Sequence, residues 1–207
     1  LGACNVPVDK WQLDIVASGS QKGYMIPPGL SFITMSQKAW DAAEKSNLPK
    51  FYLNLKSYKK SLLSNSNPYT PAVNLVFALD EALKMMRDEG LDNIFLRHNK
   101  HKLAMSNAVK VLNLKLFADE KYLSPSVTAI KTEGMDAEQF RKTIKNKFDI
   151  LLAGGQDHLK GKIFRVGHLG YVNDRDIITV VSAISNTLLE IGRARLNSSH
   201  RCISYAV

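Results

Sequence analysis

Leu75, Leu79, Ala82, Leu83 and Met86 recur at helical spacing and stop at Gly90, and this one amphipathic helix divides the 207-residue chain into two stretches of different texture. Upstream, residues 13–16 and 30–35 read as short apolar strands. Between them lie a small-residue turn, Ala17-Ser-Gly-Ser-Gln-Lys-Gly23, and the break Pro27-Pro28-Gly29. Ser36 is a good N-cap for a helix over 37–46. Residues 65–71 form a loop whose two prolines disfavour helix. Downstream, a long helix over about 92–112 leads into strand candidates at 115–118 and 126–131 and a helix over 136–146. Strands at 149–152 and 162–166 and a helix over 174–189 follow. The expected class is α/β: residues 1–90 are the last part of an α/β domain, and 91–190 a small α+β domain.

Hydrophobic residues are 45% of the chain, which excludes a mainly disordered protein. No apolar run approaches the length of a membrane-spanning helix, so no membrane partner is expected. Two cysteines, Cys4 and Cys202, are too few for a disulfide framework or a zinc site. They predict a reducing, cytoplasmic location and no metal. A net charge of +9 raises nucleic acid as a partner. The basic residues are dispersed, however, and their densest groups, 56–60 and 98–102, read as solvated helix faces. No aromatic platform accompanies them, so no nucleic-acid partner is expected.

The last stretch, residues 191–207, has no apolar period, and from Arg195 onward it is similar to a translated sequencing-library adapter. It is expected to be a non-native tail outside the fold. Leu1-Gly2-Ala3 reads as the middle of a longer protein, so the chain is expected to be a fragment.

Lys22 carries the chemistry of the first stretch. Small residues around a lysine at a strand end place an amine on an accessible backbone. Desolvated there, it becomes a nucleophile toward aldehydes. In the second stretch Arg165 sits in an apolar strand, where an arginine is either a structural ion pair or a fork for a carboxylate. His98, His101 and His158 lack ligand spacing, and His168 is expected to be structural.

Ile15-Val-Ala-Ser-Gly-Ser-Gln-Lys-Gly-Tyr-Met-Ile-Pro-Pro-Gly-Leu30 resembles the lysine segment of class V aminotransferases, pyridoxal-phosphate enzymes of fold type I. The resemblance is to the alanine–glyoxylate and serine–glyoxylate (serine–pyruvate) branch. Three further segments agree in order: Asn67-Pro-Tyr-Thr-Pro71, Leu151-Leu-Ala-Gly-Gly155 and Phe164-Arg-Val-Gly-His-Leu-Gly170. The resemblance implies the C-terminal part of a pyridoxal-phosphate-binding large domain followed by a small α+β C-terminal domain. It implies that Lys22 holds pyridoxal 5'-phosphate as a Schiff base, that Gln21 bonds its phosphate, and that Thr70 reaches the phosphate across a homodimer with a shared active site. Arg165 is then the clamp for the substrate carboxylate. The family often has Tyr where this chain has Asn67, a departure from the family pattern at the position of a second cross-subunit phosphate contact. The acidic partner of the pyridine nitrogen and the phosphate loop lie upstream of Leu1 in the family, so the fragment alone is expected to be inactive.

The implied activity moves an amino group between a small amino acid, alanine or serine, and a 2-oxo acid, glyoxylate or pyruvate. Two other readings compete. A cysteine desulfurase-like enzyme of the same fold needs a reactive cysteine in the C-terminal half, where the only cysteine is Cys202 in the tail. A noncatalytic basic binding module rests on the net charge alone.

Overall fold

The computed structural model describes residues 2–203, and side chains as far as residue 192. The chain divides into two compact units, Leu1–Leu91 and Asp92–Val207.

In the first unit β1 (Ile15–Gly19) and β2 (Ser31–Met35) form an antiparallel pair, with Ile15 opposite Met35 and Gly19 opposite Ser31. The ladder carries β1 three residues beyond the apolar run, through Ala17 and Ser18, because backbone pairing and not hydrophobicity decides where the strand ends. Ser36 caps α1 (Gln37–Lys45): its Oγ accepts from the Ala39 N–H at 3.1 Å and donates to Asp14 Oδ1 at 2.7 Å. Lys38 binds the same carboxylate, so the start of β1 and the start of α1 share one polar knot. That pairing holds the Asp14 carboxyl below its usual range.

The basic group 56–60 falls on a second short helix, α2 (Leu55–Leu63), with Asn54 as its N-cap. A loop leads on to α3 (Val73–Glu89), whose stop, Gly90, takes φ of 82°. A left-handed residue there costs glycine little. Tyr69, in that loop, stacks at 4.8 Å on Tyr52 and donates its hydroxyl to the Phe51 carbonyl. Two otherwise irregular segments are thereby tied together.

The second unit takes in α4 (Leu91–Val111) from its second residue and holds a four-stranded antiparallel sheet in the order β3-β4-β6-β5. The strands are β3 (Lys115–Leu116), β4 (Val127–Lys131), β5 (Ala153–Gly154) and β6 (Ile163–Gly167). Two helices complete it, α5 (Ala137–Phe148), capped by Asp136, and α6 (Asp174–Ile203). Ile130 of β4 and Phe164 and Val166 of β6 face inward. They pack with Met105 and Val109 of α4, Phe140 and Ile144 of α5, and Ile177, Val180 and Ile184 of α6 in one buried cluster. The period-2 alternation puts Arg165 on the opposite face from Phe164 and Val166.

Two expectations need correction here. Residues 149–152 are not a strand. Asp149 closes α5 with φ of 54°, Leu152 turns into the core, and the Leu152 carbonyl is taken by Arg141 Nε at 2.8 Å. With that acceptor occupied, pairing starts only at Ala153. The last helix does not end near residue 189 either: α6 runs to Ile203, across Gly192 and with no proline to stop it. Ile191, the first residue of the expected tail, packs against the core cluster. The side chains of 193–207, Cys202 included, lie outside the described residues.

Candidate active site

The turn bearing Lys22 is held from below by one buried hydroxyl. Ser20 is fully buried; its Oγ donates to the Pro27 carbonyl at 2.7 Å and accepts from the Leu30 N–H at 3.2 Å. Backbone bonds from Ser20 to the Leu30 carbonyl and from Ile26 to the Ser20 carbonyl complete the clasp. The eleven residues between the strands, 20–30, are thus closed into a compact loop, with Gln21 and Lys22 on its exposed rim. At the far end of the loop Gly29 lies against α3: a Cβ there would meet Leu75 Cδ1 at 2.5 Å. Thr70 stands five residues before Leu75, so α3 links the Thr70 segment to the end of the Lys22 loop.

Lys22 Nζ, the Gln21 amide and the Thr70 hydroxyl have no hydrogen-bond or ionic partner among the described residues. Lys22 is exposed, so the desolvation that would activate its amine is not supplied by this chain's own residues.

Pyridoxal 5'-phosphate, implied by the sequence resemblance, asks for an unpaired amine and for N–H and O–H donors to its phosphate. The donor set fits. The Gln21 side chain folds back over Gly19, where a Cβ would lie 2.8 Å from Gln21 Oε1.

Arg165 belongs to the second unit. Its cross-strand neighbours on the same face are Ala129 and Ala153, so nothing bulky covers it within the sheet. Its Nε donates to the Gly154 carbonyl at 2.9 Å. No carboxylate among the described residues pairs with it, so the structural ion pair is absent and both terminal nitrogens keep their donors for something else. The loop that follows Arg165 is bound to α4. Arg97 donates to the carbonyls of Gly170 and Val172, and the Gly170 N–H donates to His98 Nε2 at 3.1 Å. Asp174 accepts from Lys100 and pairs with His101 Nε2.

His168 is fully buried. Its Nε2 meets the Thr128 hydroxyl at 2.9 Å and its Nδ1 the Pro125 carbonyl at 3.1 Å. Since a carbonyl only accepts, Nδ1 carries the proton and Nε2 accepts from Thr128. Burial pushes its pKa down to about 4, so the ring is neutral and structural at neutral pH.

Sequence reasoning missed Ser20, whose role needs the fold of the loop, and the pair Arg141–Glu138, which sits beside Gly154. A serine ahead of Pro27 and Gly29 in a closed turn was the available signal for Ser20. Cys4 is free and exposed, and among the described residues no group of three or more His, Cys, Asp or Glu could hold a metal ion. No helix among them is long and apolar enough to cross a membrane.

The aminotransferase class-V family model matches residues 1–175. The chain is 55% identical over 198 residues to the soluble hydrogenase 42 kDa subunit of Anabaena cylindrica, covering 96% of this chain and 52% of that protein. It is 34% identical to the L-aspartate–glyoxylate aminotransferase of Paracoccus denitrificans, covering 93% and 49%. Among solved structures, an alanine–glyoxylate aminotransferase from Nostoc sp. superposes with a TM-score of 0.86 at 28% identity, covering 91% of this chain and 50% of the other. The chain thus spans about half the length of the relatives it matches. On the match over residues 1–175 and the shared fold, the chain belongs to the class V aminotransferases, a family of pyridoxal-phosphate-dependent enzymes of fold type I.

Proposed function

We propose that this chain supplies the coenzyme lysine and the substrate-carboxylate arginine of a transaminase acting on small amino and 2-oxo acids. The observation that carries the reading is Lys22, an unpaired amine on a loop clasped by a buried serine at the end of β1, inside a chain of this family.

Lys22 would hold the coenzyme through Nζ, Gln21 would donate to its phosphate, and Thr70 would reach the phosphate of the partner subunit in a homodimer. Bound coenzyme supplies an electron sink for the charge that develops at the substrate Cα. Lys22 Nζ is the base that takes the Cα proton, because a side chain tethered to that loop is already within reach. Arg165 would offer two parallel N–H donors to the α-carboxylate and so fix the orientation of the substrate about Cα. The carboxylate is common to every amino and oxo acid, so Arg165 confers the class of substrate and not its identity.

Both transaminases compared above carry glyoxylate in their names, which supports glyoxylate as acceptor. Alanine or serine is the donor we propose, with pyruvate as the alternative acceptor. The test is an amino-transfer assay of the full-length protein with alanine, serine or aspartate against glyoxylate or pyruvate. Glycine formed from glyoxylate with alanine or serine as donor supports the reading. No transfer from any donor in a protein that retains coenzyme would refute it.

A further inference from the structure

Arg165 does not hold its own position. The Gly154 carbonyl fixes its Nε, and Gly154 belongs to β5, a two-residue strand at the edge of the sheet. Two ladder positions to β6 are little to hold such a strand, which lacks a second neighbour. Arg141 of α5 supplies the rest. Its Nε donates to the Leu152 carbonyl, immediately before β5, at 2.8 Å, and its Nη1 donates to Glu138 Oε2 at 2.6 Å. The Arg141–Glu138 pair also fills the space over Gly154. A Cβ on Gly154 would lie 2.6 Å from Arg141 Nη1 and 2.8 Å from Glu138 Oε1.

We infer that Arg141, braced by Glu138, is a positioning residue for Arg165, acting through the Leu152–Gly154 backbone. The chain of contacts is continuous: Glu138 sets the guanidinium of Arg141, Arg141 sets the Leu152 carbonyl, and the strand that follows sets the carbonyl that aims Arg165. A guanidinium suits the relay, since its planar fork serves two acceptors at once, which a lysine ammonium does less rigidly. The inference rests on the reading of Arg165 as the carboxylate clamp for its kinetic consequence, but not for its geometry.

Two readouts on the full-length coenzyme-loaded protein separate the two ideas. The first is exchange of the Arg165 Nε–H with solvent, followed by nuclear magnetic resonance. Arg141→Gln should speed that exchange, because the Gly154 acceptor is no longer held in place. The second is a double-mutant cycle on KM for the amino acid and oxo acid. Arg141→Gln should raise KM about tenfold with kcat little changed, below the roughly 100-fold that a 1 Å misplacement can entail. In an Arg165→Ala background the same substitution should change KM less than about twofold, because residues acting in series are not additive. Arg141→Lys should restore part of the loss.

Should Arg141→Gln fail to fold, Gly154→Ala approaches the same contact without altering a charge, and should speed Nε–H exchange in the same way. Unchanged exchange in both variants, or an equal rise in KM in both Arg165 backgrounds, overturns the inference. Should Arg165→Ala leave KM unchanged while Arg141→Gln speeds exchange, the positioning stands and the carboxylate role of Arg165 falls.

Discussion

The Arg165 Nε–H bond to the Gly154 carbonyl, 2.9 Å long, fixes the stem of the guanidinium and leaves its fork unclaimed. An arginine in an apolar strand most often satisfies a buried acid. Here the neighbours across the strands are alanines, and no acid is in reach among the described residues.

Arg165→Lys keeps the charge and loses the fork. In the full-length protein it should lower kcat/KM for alanine or serine by about 2–4 kcal/mol, the range for truncating one partner of a desolvated charged contact. The visible absorbance of bound coenzyme should stay as it is. Steady-state kinetics with an absorbance scan checks both. Wild-type kcat/KM, or loss of coenzyme with substrate affinity intact, counts against the assignment.

Ser20→Ala removes the hydroxyl that clasps the lysine loop and leaves the Leu30 N–H and the Pro27 carbonyl without their partner. Stability should fall by about 1–3 kcal/mol, the cost of stranding buried polar groups. Coenzyme affinity should fall with it, because Gln21 and Lys22 ride on that loop. Urea denaturation and coenzyme titration measure the two effects. An unchanged coenzyme affinity would show that the loop holds its shape without the clasp.

His168 makes stability depend on acidity. Its imidazole titrates near 6.5 when unfolded and near 4 when folded, so between those values the unfolded chain binds a proton that the folded one refuses. The stability it contributes is complete above pH 6.5 and is lost as pH falls toward 4, by at most about 1.4 kcal/mol per pH unit. The nearby His98 and His101 reinforce the depression through charge repulsion. His168→Gln should flatten the difference in urea midpoint between pH 7 and pH 4.5. A variant with the same pH slope as the parent contradicts the burial account.

Gly155 and Gly167 flank the same sheet with opposite demands. A Cβ at Gly155 would sit 2.1 Å from the Leu159 carbonyl oxygen, whereas at Gly167 it would meet nothing within 4 Å. Gly155→Ala should destabilise by about 1–3 kcal/mol, the usual cost of forced backbone movement in a packed site. Gly167→Ala should be near neutral. Thermal melts of the two variants side by side decide it.

The elements legible in the sequence are those with a local signal. Ser36 followed by Gln37, the spacing from Leu75 to Met86 ended by Gly90, and the apolar alternation around Ile130 each carry their reason within a few residues. What was not legible depends on distant partners. β5 starts at Ala153 because Arg141, eleven residues upstream of Leu152, takes the carbonyl before it. Helix α2 was legible only as the solvated face read at 56–60; its bounds were not, because the run has too little apolar spacing to announce an inward face and none of its residues is fully buried. At the candidate site, Lys22 and Arg165 stood out by residue type and setting. Ser20 and Arg141 did not, since a serine clasp and a strand brace exist only once the backbone is folded around them.

The central claim is that Lys22 holds the coenzyme, and borohydride reduction followed by peptide mapping tests it most directly. Reduction of the full-length coenzyme-loaded protein should fix the coenzyme to the peptide containing Gln21, Lys22 and Gly23, and Lys22→Ala should abolish the label. Label on any other lysine, or undiminished label in Lys22→Ala, would contradict the account.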